Sequence, residues 1–200
     1  MSPYQKTKIK SSWIIIGIIA IIVIYAVSTY NGMVSSNENV EEQWGNVESA
    51  YQARLDKTNN LLEIVKGAAN FERETLNEVI EKRTRATSVN IEANDLTQEN
   101  LNKFQQAQDA FGSSLSRLLV VVEKYPELKA VQAFRDFQAQ YEGMENRINV
   151  ERRKFNQSAK KLNRKIKRFP NNVLNNFYGF EEKPYFESVE GAEKAPQISF

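Results

Sequence analysis

The chain has 200 residues, with 27 Lys and Arg against 25 Asp and Glu, for a formal net charge of +2. It contains no Cys and no His, which excludes disulfides, thiolate metal sites and Cys nucleophiles and removes the commonest general base, metal ligand and pH switch. The length suits one domain plus an anchor or tail, and the scarcity of Gly and Pro favours helices.

No charged residue occurs from Ser11 to Asn37. The centre of this stretch, WIIIGIIAIIVIYAVSTY, runs eighteen residues from Trp13 to Tyr30; at about 1.5 Å per residue it reaches roughly 27 Å, about one hydrocarbon core. Ile14, Ile15, Ile16, Ile18, Ile19, Ile21, Ile22, Val23 and Ile24 form its body, and Trp13, Tyr25 and Tyr30 suit the interfaces. Lys6, Lys8 and Lys10 precede it, Glu38, Glu41 and Glu42 follow, and the first base afterwards is Arg54. The positive-inside rule then places the N-terminus in the cytoplasm and the remainder outside. A cleaved signal peptide ending near Ala26-Val27-Ser28 is the rival; the apolar run is long for one, so a retained anchor is expected.

Val40, Trp44, Val47, Tyr51, Leu55, Thr58, Leu62 and Val65 then step by three or four, a heptad seam with no Pro between it and the apolar run. The spacing predicts one long helix continuing directly from the span, with Gly67 as its C-cap. Asn70 suits the start of a second helix carrying Leu76, Val79, Ile80 and Arg83 on one side. Asp95 or Thr97 begins a third, with Leu101, Phe104, Gln108, Phe111, Leu115, Leu118 and Val122 along it. Its end, LLVVV, is apolar nearly all round and is expected to be deeply buried; Tyr125-Pro126 breaks it. In the fourth helix Phe134, Tyr141, Ile148, Phe155, Leu162 and Phe169 recur every seven residues, and Pro170 with Asn171-Asn172 ends it. Short loops make neighbours antiparallel. The expected fold is all-α: a single N-terminal transmembrane helix, then an antiparallel up-down four-helix bundle with long first and last helices. The expected divisions are a basic N-terminus (1–10), the span (11–30), the bundle (31–170), an aromatic-rich segment (171–187) and a disordered tail (188–200).

These residues resemble the LemA family. The resemblance runs from Tyr30 to Phe186 and rests on Tyr30-Asn31 with Val34, W-x-x-V-E from Trp44 to Glu48, Tyr51-Gln52, Arg54 and Asp56. It continues through V-K-G (Val65 to Gly67), Glu72, Leu76, Arg83, E-x-Y-P-x-L-K-A (Glu123 to Ala130), Phe134 and Arg152. It ends with Phe155-Asn156, Leu162-Asn163, Phe169-Pro170 and Gly179-Phe180. The family often has a Pro where this chain reads DKTNNL, and its second-half Tyr-Asn pairs are here Phe-Asn and Leu-Asn. The resemblance implies an N-terminal membrane helix, an antiparallel helical bundle and no known catalysis; some relatives are linked to membrane organisation. Family descriptions have proposed the opposite topology, against which the three lysines argue here. The expected setting is a single pass through a bacterial inner membrane, with the bundle periplasmic or outside.

Arg152 to Pro170 holds nine bases and no acid: Arg152, Arg153, Lys154, Lys160, Lys161, Arg164, Lys165, Lys167 and Arg168. The stretch reads as a solvated face paired with Glu38, Glu41, Glu42 and Glu48 on the foot of the first helix, as a contact for anionic headgroups, or as a partner surface. Nucleic acid is not expected, because no aromatics are interleaved on the exposed face. Phe177, Tyr178, Phe180, Tyr185 and Phe186 crowd the next segment; Phe177 and Phe180 either pack on the bundle foot or form an interfacial belt. Asn149, Asn156 and Asn163 also recur every seven residues, as a helix-to-helix ladder or an exposed stripe.

No catalytic motif is present. Without His the usual di-iron bundle site is excluded, and no EF-hand loop, P-loop, G-x-S-x-G or G-x-G-x-x-G occurs. The residues therefore predict a non-enzymatic membrane-anchored scaffold, with no cofactor or small-molecule substrate, whose partners are membrane lipid and a second copy or another membrane protein. The alternative is a peripheral sensor or organiser of anionic lipid.

Overall fold

A computed structural model describes residues 11–68 and 71–187. Lys6, Lys8 and Lys10, the Asn70 cap and the tail from Ser188 onward lie outside the described residues. Among the described residues six α-helices occur in order: α1 (Ser11–Lys66), α2 (Arg73–Ser88), α3 (Gln98–Val122), α4 (Pro126–Lys129), α5 (Gln132–Lys167) and α6 (Asn171–Tyr178), with a 3-10 turn at Ala93–Asp95 before α3. No strand occurs among the described residues.

α1 is one helix of 56 residues. Its first half is exposed on all sides from Trp13 to Ile24, and this is the one helix among the described residues long and apolar enough to cross a membrane. Its second half buries Val40, Trp44, Val47, Tyr51, Leu55, Thr58, Leu62 and Val65, the whole seam read from the sequence. Gly67 comes directly after it but does not take the left-handed conformation of a glycine cap.

Thr97 caps α3, its hydroxyl accepting from the Asn100 amide at 3.2 Å. Leu118 and Val122 at the far end are buried, but Val120 is 68 % exposed. The apolar end is thus covered on one face rather than all round, because α2 and α4 do not enclose it. The fourth helix begins later than expected: Val131 is extended, separating the short α4 from α5.

Residues of α1 and α5 meet in opposite chain order. Gly32 lies by Lys165, Arg54 by Glu145, and Lys57 and Leu61 by Asp136 and Phe137. The same reversal joins α2 and α3, where Ala86 meets Gln108 and Glu78 meets Arg117.

The interior forms two apolar clusters. One gathers Val40, Trp44, Val47 and Tyr51 with Leu101, Phe104, Ile148, Phe155, Leu162 and Phe186. The other gathers Leu55, Leu62, Phe111, Leu115, Leu118 and Phe134 with Val79 and Leu128. Burying each large apolar side chain contributes about 1.5–3 kcal/mol.

Arg54 stands between the clusters, 2 % exposed. Its guanidinium donates to Glu145 Oε1 at 2.8 Å and to Gln108 at the backbone oxygen (2.8 Å) and Oε1 (2.9 Å). It also lies over the Tyr51 and Phe111 rings. A Cβ at position 112 would come within 2.9 Å of Arg54 Nη1, so Gly112 is what lets α3 approach. Arg54→Ala strands the buried oxygens of Gln108 and leaves a void, and should lower stability by about 3 kcal/mol. Arg54→Met fills the space without a charge and should cost clearly less. Denaturant unfolding of the full chain in detergent checks this; equal losses would contradict it.

Candidate membrane-proximal site

α5 leaves helical geometry at Arg168, whose backbone is extended. The heptad phase therefore stops before Phe169. Phe134, Ile148, Phe155 and Leu162 are buried and Tyr141 is half-buried, but Phe169 is 76 % exposed and does not belong to the core. It lies instead beside Ile21 and Ile22 of α1, in an apolar groove shared with Tyr25, Pro170, Val173 and Leu174.

The aromatic-rich segment after Pro170 begins as a helix. Pro170 precedes the first residue of α6, and Gly179, at φ 74, closes it in the left-handed conformation that glycine adopts without strain. Polar and apolar residues segregate around this short helix. Val173, Leu174, Phe177 and Tyr178 share one side; Asn171, Asn172, Asn175 and Asn176 share the other. The helix is tied to the apolar half of α1. Tyr25 donates its hydroxyl to Asn171 Oδ1 at 2.8 Å, Tyr178 donates to the Ala26 carbonyl at 2.8 Å, and Tyr30 stacks edge-on against Tyr178 and tilted against Phe180. Of the two aromatics expected on the bundle foot, Phe180 is half-buried there, whereas Phe177 is 84 % exposed.

The residues beyond Phe180 run extended along the bundle, and the asparagine series holds them. Asn163 donates to the Lys183 carbonyl at 2.8 Å and accepts its amide at 2.9 Å; Asn156 does the same with Phe186, both at 2.9 Å. The spacing has a geometric cause. Seven helical residues rise about 10.5 Å, and three extended residues span about 10 Å. Neither a helix-to-helix ladder nor a bare stripe describes Asn156 and Asn163; Asn149 is exposed. Phe186 is thereby seated against Trp44 and Phe155, with the Arg152 guanidinium 4.8 Å above its ring.

The nine bases divide. Arg152 pairs with Asp109 at 3.7 Å, Lys154 with Glu151 at 3.1 Å and Lys167 with Glu182 at 2.7 Å. Lys165 donates to the Gly32 carbonyl at 2.6 Å. Burial, and then Lys161, hold the Lys165 pKa below the ordinary lysine value, while the Glu182 carboxylate raises that of Lys167. Arg153, Lys160, Lys161, Arg164 and Arg168 make no ion pair among the described residues. The expected partners Glu38, Glu41, Glu42 and Glu48 pair with none of the nine; Asn37 holds Glu41 instead. Helical spacing puts those acids on the side of α1 away from Gly32, Arg54 and Leu61, which meet α5.

A second, smaller cleft of about 210 Å³ opens mid-bundle beside Glu48, Tyr51, Asn90 and Gln108. Burial pushes the Tyr51 phenol up to about 12, with Arg152 acting the other way, and burial also raises Glu48. No group of three or more His, Cys, Asp or Glu able to hold a metal comes together among the described residues.

The LemA family model matches residues 43–200, more than half of the chain. The chain belongs to the LemA family. This LemA-family chain is 26 % identical over 179 residues to magnetosome proteins MamQ 2 and MamQ 1 of Paramagnetospirillum magneticum, covering 79 % of the chain and 64 % of each relative. It is 32 % identical over 95 residues to magnetosome protein MamQ of Magnetospirillum gryphiswaldense, covering 46 % of the chain and 35 % of that relative. The chain thus spans less than two thirds of the length of these relatives.

In this LemA-family chain Asn156 and Asn163 clasp the extended C-terminal segment. Asn163→Ala removes both partners of the Lys183 backbone, a loss of about 1–2 kcal/mol, and should raise amide exchange from Lys183 to Phe186. Unchanged exchange would contradict the clasp.

Proposed function

We propose that the chain is a non-enzymatic, membrane-anchored helical scaffold. Its bundle is an antiparallel arrangement of α1, α2, α3 and α5 that docks a second copy or another membrane protein at the membrane surface. The observation that carries this reading is the continuity of α1: one unbroken helix supplies both the apolar span and the spine of the core. Such a helix holds the bundle rigidly over the membrane, which suits presentation of a surface more than turnover of a substrate. The reversed contact order of α1 with α5 and of α2 with α3 supports the antiparallel arrangement. A retained anchor is supported by Tyr25 and Ala26, which are partners of α6. The lysines before the span favour a cytoplasmic N-terminus and a bundle outside an inner membrane.

A second reading is contact with anionic lipid through the bases at the end of α5. It is favoured by Lys160, Lys161, Arg164 and Arg168, which lack carboxylate partners among the described residues and lie at the end of α5 that returns to the apolar half of α1. Each such base near an anionic surface is worth about 1 kcal/mol.

Gentle solubilisation from native membranes followed by mass measurement tests the scaffold. The expected result is an assembly larger than one chain, or one chain with a stoichiometric membrane partner. A monodisperse monomer with no co-purifying protein contradicts the scaffold reading.

A further inference from the structure

Phe169, Val173 and Phe177 are large, apolar and exposed. None of them belongs to the bundle core; Phe169 and Val173 edge the groove beside Ile21 and Ile22 and still leave most of their surface uncovered, and Phe177 stands clear of it. Leu174 and Tyr178, on the same side of α6, face α1, so the exposed three extend the apolar surface of α1 sideways. The surface they join, from Trp13 to Ile24, is the apolar half of the candidate span.

Depth is set by where α6 attaches. Tyr178 meets Tyr30 and Ala26, Asn171 meets Tyr25, and Phe169 and Pro170 meet Ile21 and Ile22. From Tyr30 to Ile21 the helix rises roughly 13 Å, close to half of a hydrocarbon core of about 30 Å. With Trp13 at one interface and Tyr30 at the other, α6 cannot stay in water while keeping these contacts. We infer that α6 and the Phe169–Pro170 turn are embedded in the leaflet from which α1 emerges. Phe169, Val173 and Phe177 there face lipid acyl chains.

Two of the four asparagines of α6 are bonded within the protein, and Asn172 and Asn176 are exposed on the side away from Leu174 and Tyr178. Asn175 is satisfied internally, donating to the Phe180 carbonyl at 2.9 Å and accepting its amide at 3.2 Å. Asn171 is bonded to Tyr25. Arg168, next to Phe169, has a side chain long enough to carry its charge to the headgroups while its stem lies among the chains.

This inference rests on the reading of α1 as a membrane span, and the experiment separates the two. The chain has no cysteine, so single variants take one nitroxide label each. Val173→Cys and Phe177→Cys are the test positions, Val23→Cys is the span control and Val120→Cys the solvent control. The full chain is reconstituted in vesicles of phosphatidylcholine with a minor share of phosphatidylglycerol. Collisional relaxation by oxygen and by a water-soluble nickel chelate is then measured. Both test residues are exposed, so their replacement leaves the bundle core intact. The inference expects labels at 173 and 177 to be oxygen-accessible and nickel-protected, between the values at 23 and 120. Nickel access at both test positions with protection at 23 overturns the embedding and leaves the span standing. Protection from both reagents means that protein, a second copy or a partner, covers α6, and it also overturns lipid contact. Nickel access at 23 overturns the span and with it the inference.

Discussion

One helix has to satisfy two solvents. The first half of α1 is apolar on every face, and its second half is apolar on one, and nothing breaks the helix between them. The other elements are arranged by that constraint. α5 must lie along the seam from Val40 to Val65 to cover it. Running back along that seam, α5 ends with Lys165 against the Gly32 carbonyl. The chain is thus delivered to the apolar half of α1 at the point where its bases are densest. An amphipathic α6 suits that position because its apolar side meets the apolar half of α1, and the extended strap after it carries the chain back along the bundle.

The strap gives the bundle a second closure. Asn156 and Asn163 hold the backbone on each side of Pro184 and Tyr185, and Phe186 completes a ring cluster with Trp44 and Phe155. The C-terminal segment is therefore part of the membrane-proximal core. Farther out, Arg54 ties α1, α3 and α5 together where one apolar cluster gives way to the next. These bonds join three helices at one level, at the cost of desolvating a guanidinium.

The long helices were legible in the sequence because their periodicity is sustained. Eight seam positions in α1 and the run from Phe134 to Leu162 in α5 each repeat far enough for packing to track the pattern. The pattern failed at its last step. Phe169 keeps the seven-residue spacing, but the helix that gave the spacing meaning stops at Lys167. α6 was not legible because four of its eight residues are Asn, a weak helix former; its stability comes from α1, a contact distant in sequence. The asparagine period was visible, but its partner is an extended segment of different rise, so no match in spacing within the sequence announced it. The basic stretch is legible as part of a helix as far as Lys167. Its partners are not, because acids on the foot of α1 are near in height but turned away from α5.

If residues 169–180 belong with the apolar half of α1, they rest on it while that half is in a membrane. Cross-linking in native membranes reads this contact out, using the paired variant Tyr25→Cys with Asn171→Cys and a short reagent with two thiol-reactive methanethiosulfonate groups. Leu61→Cys with Phe137→Cys is the control for the bundle. The account predicts an intramolecular link at both pairs. A link at 61–137 with none at 25–171 would mean that the bundle forms but α6 does not rest on α1 in the membrane, and would contradict the account.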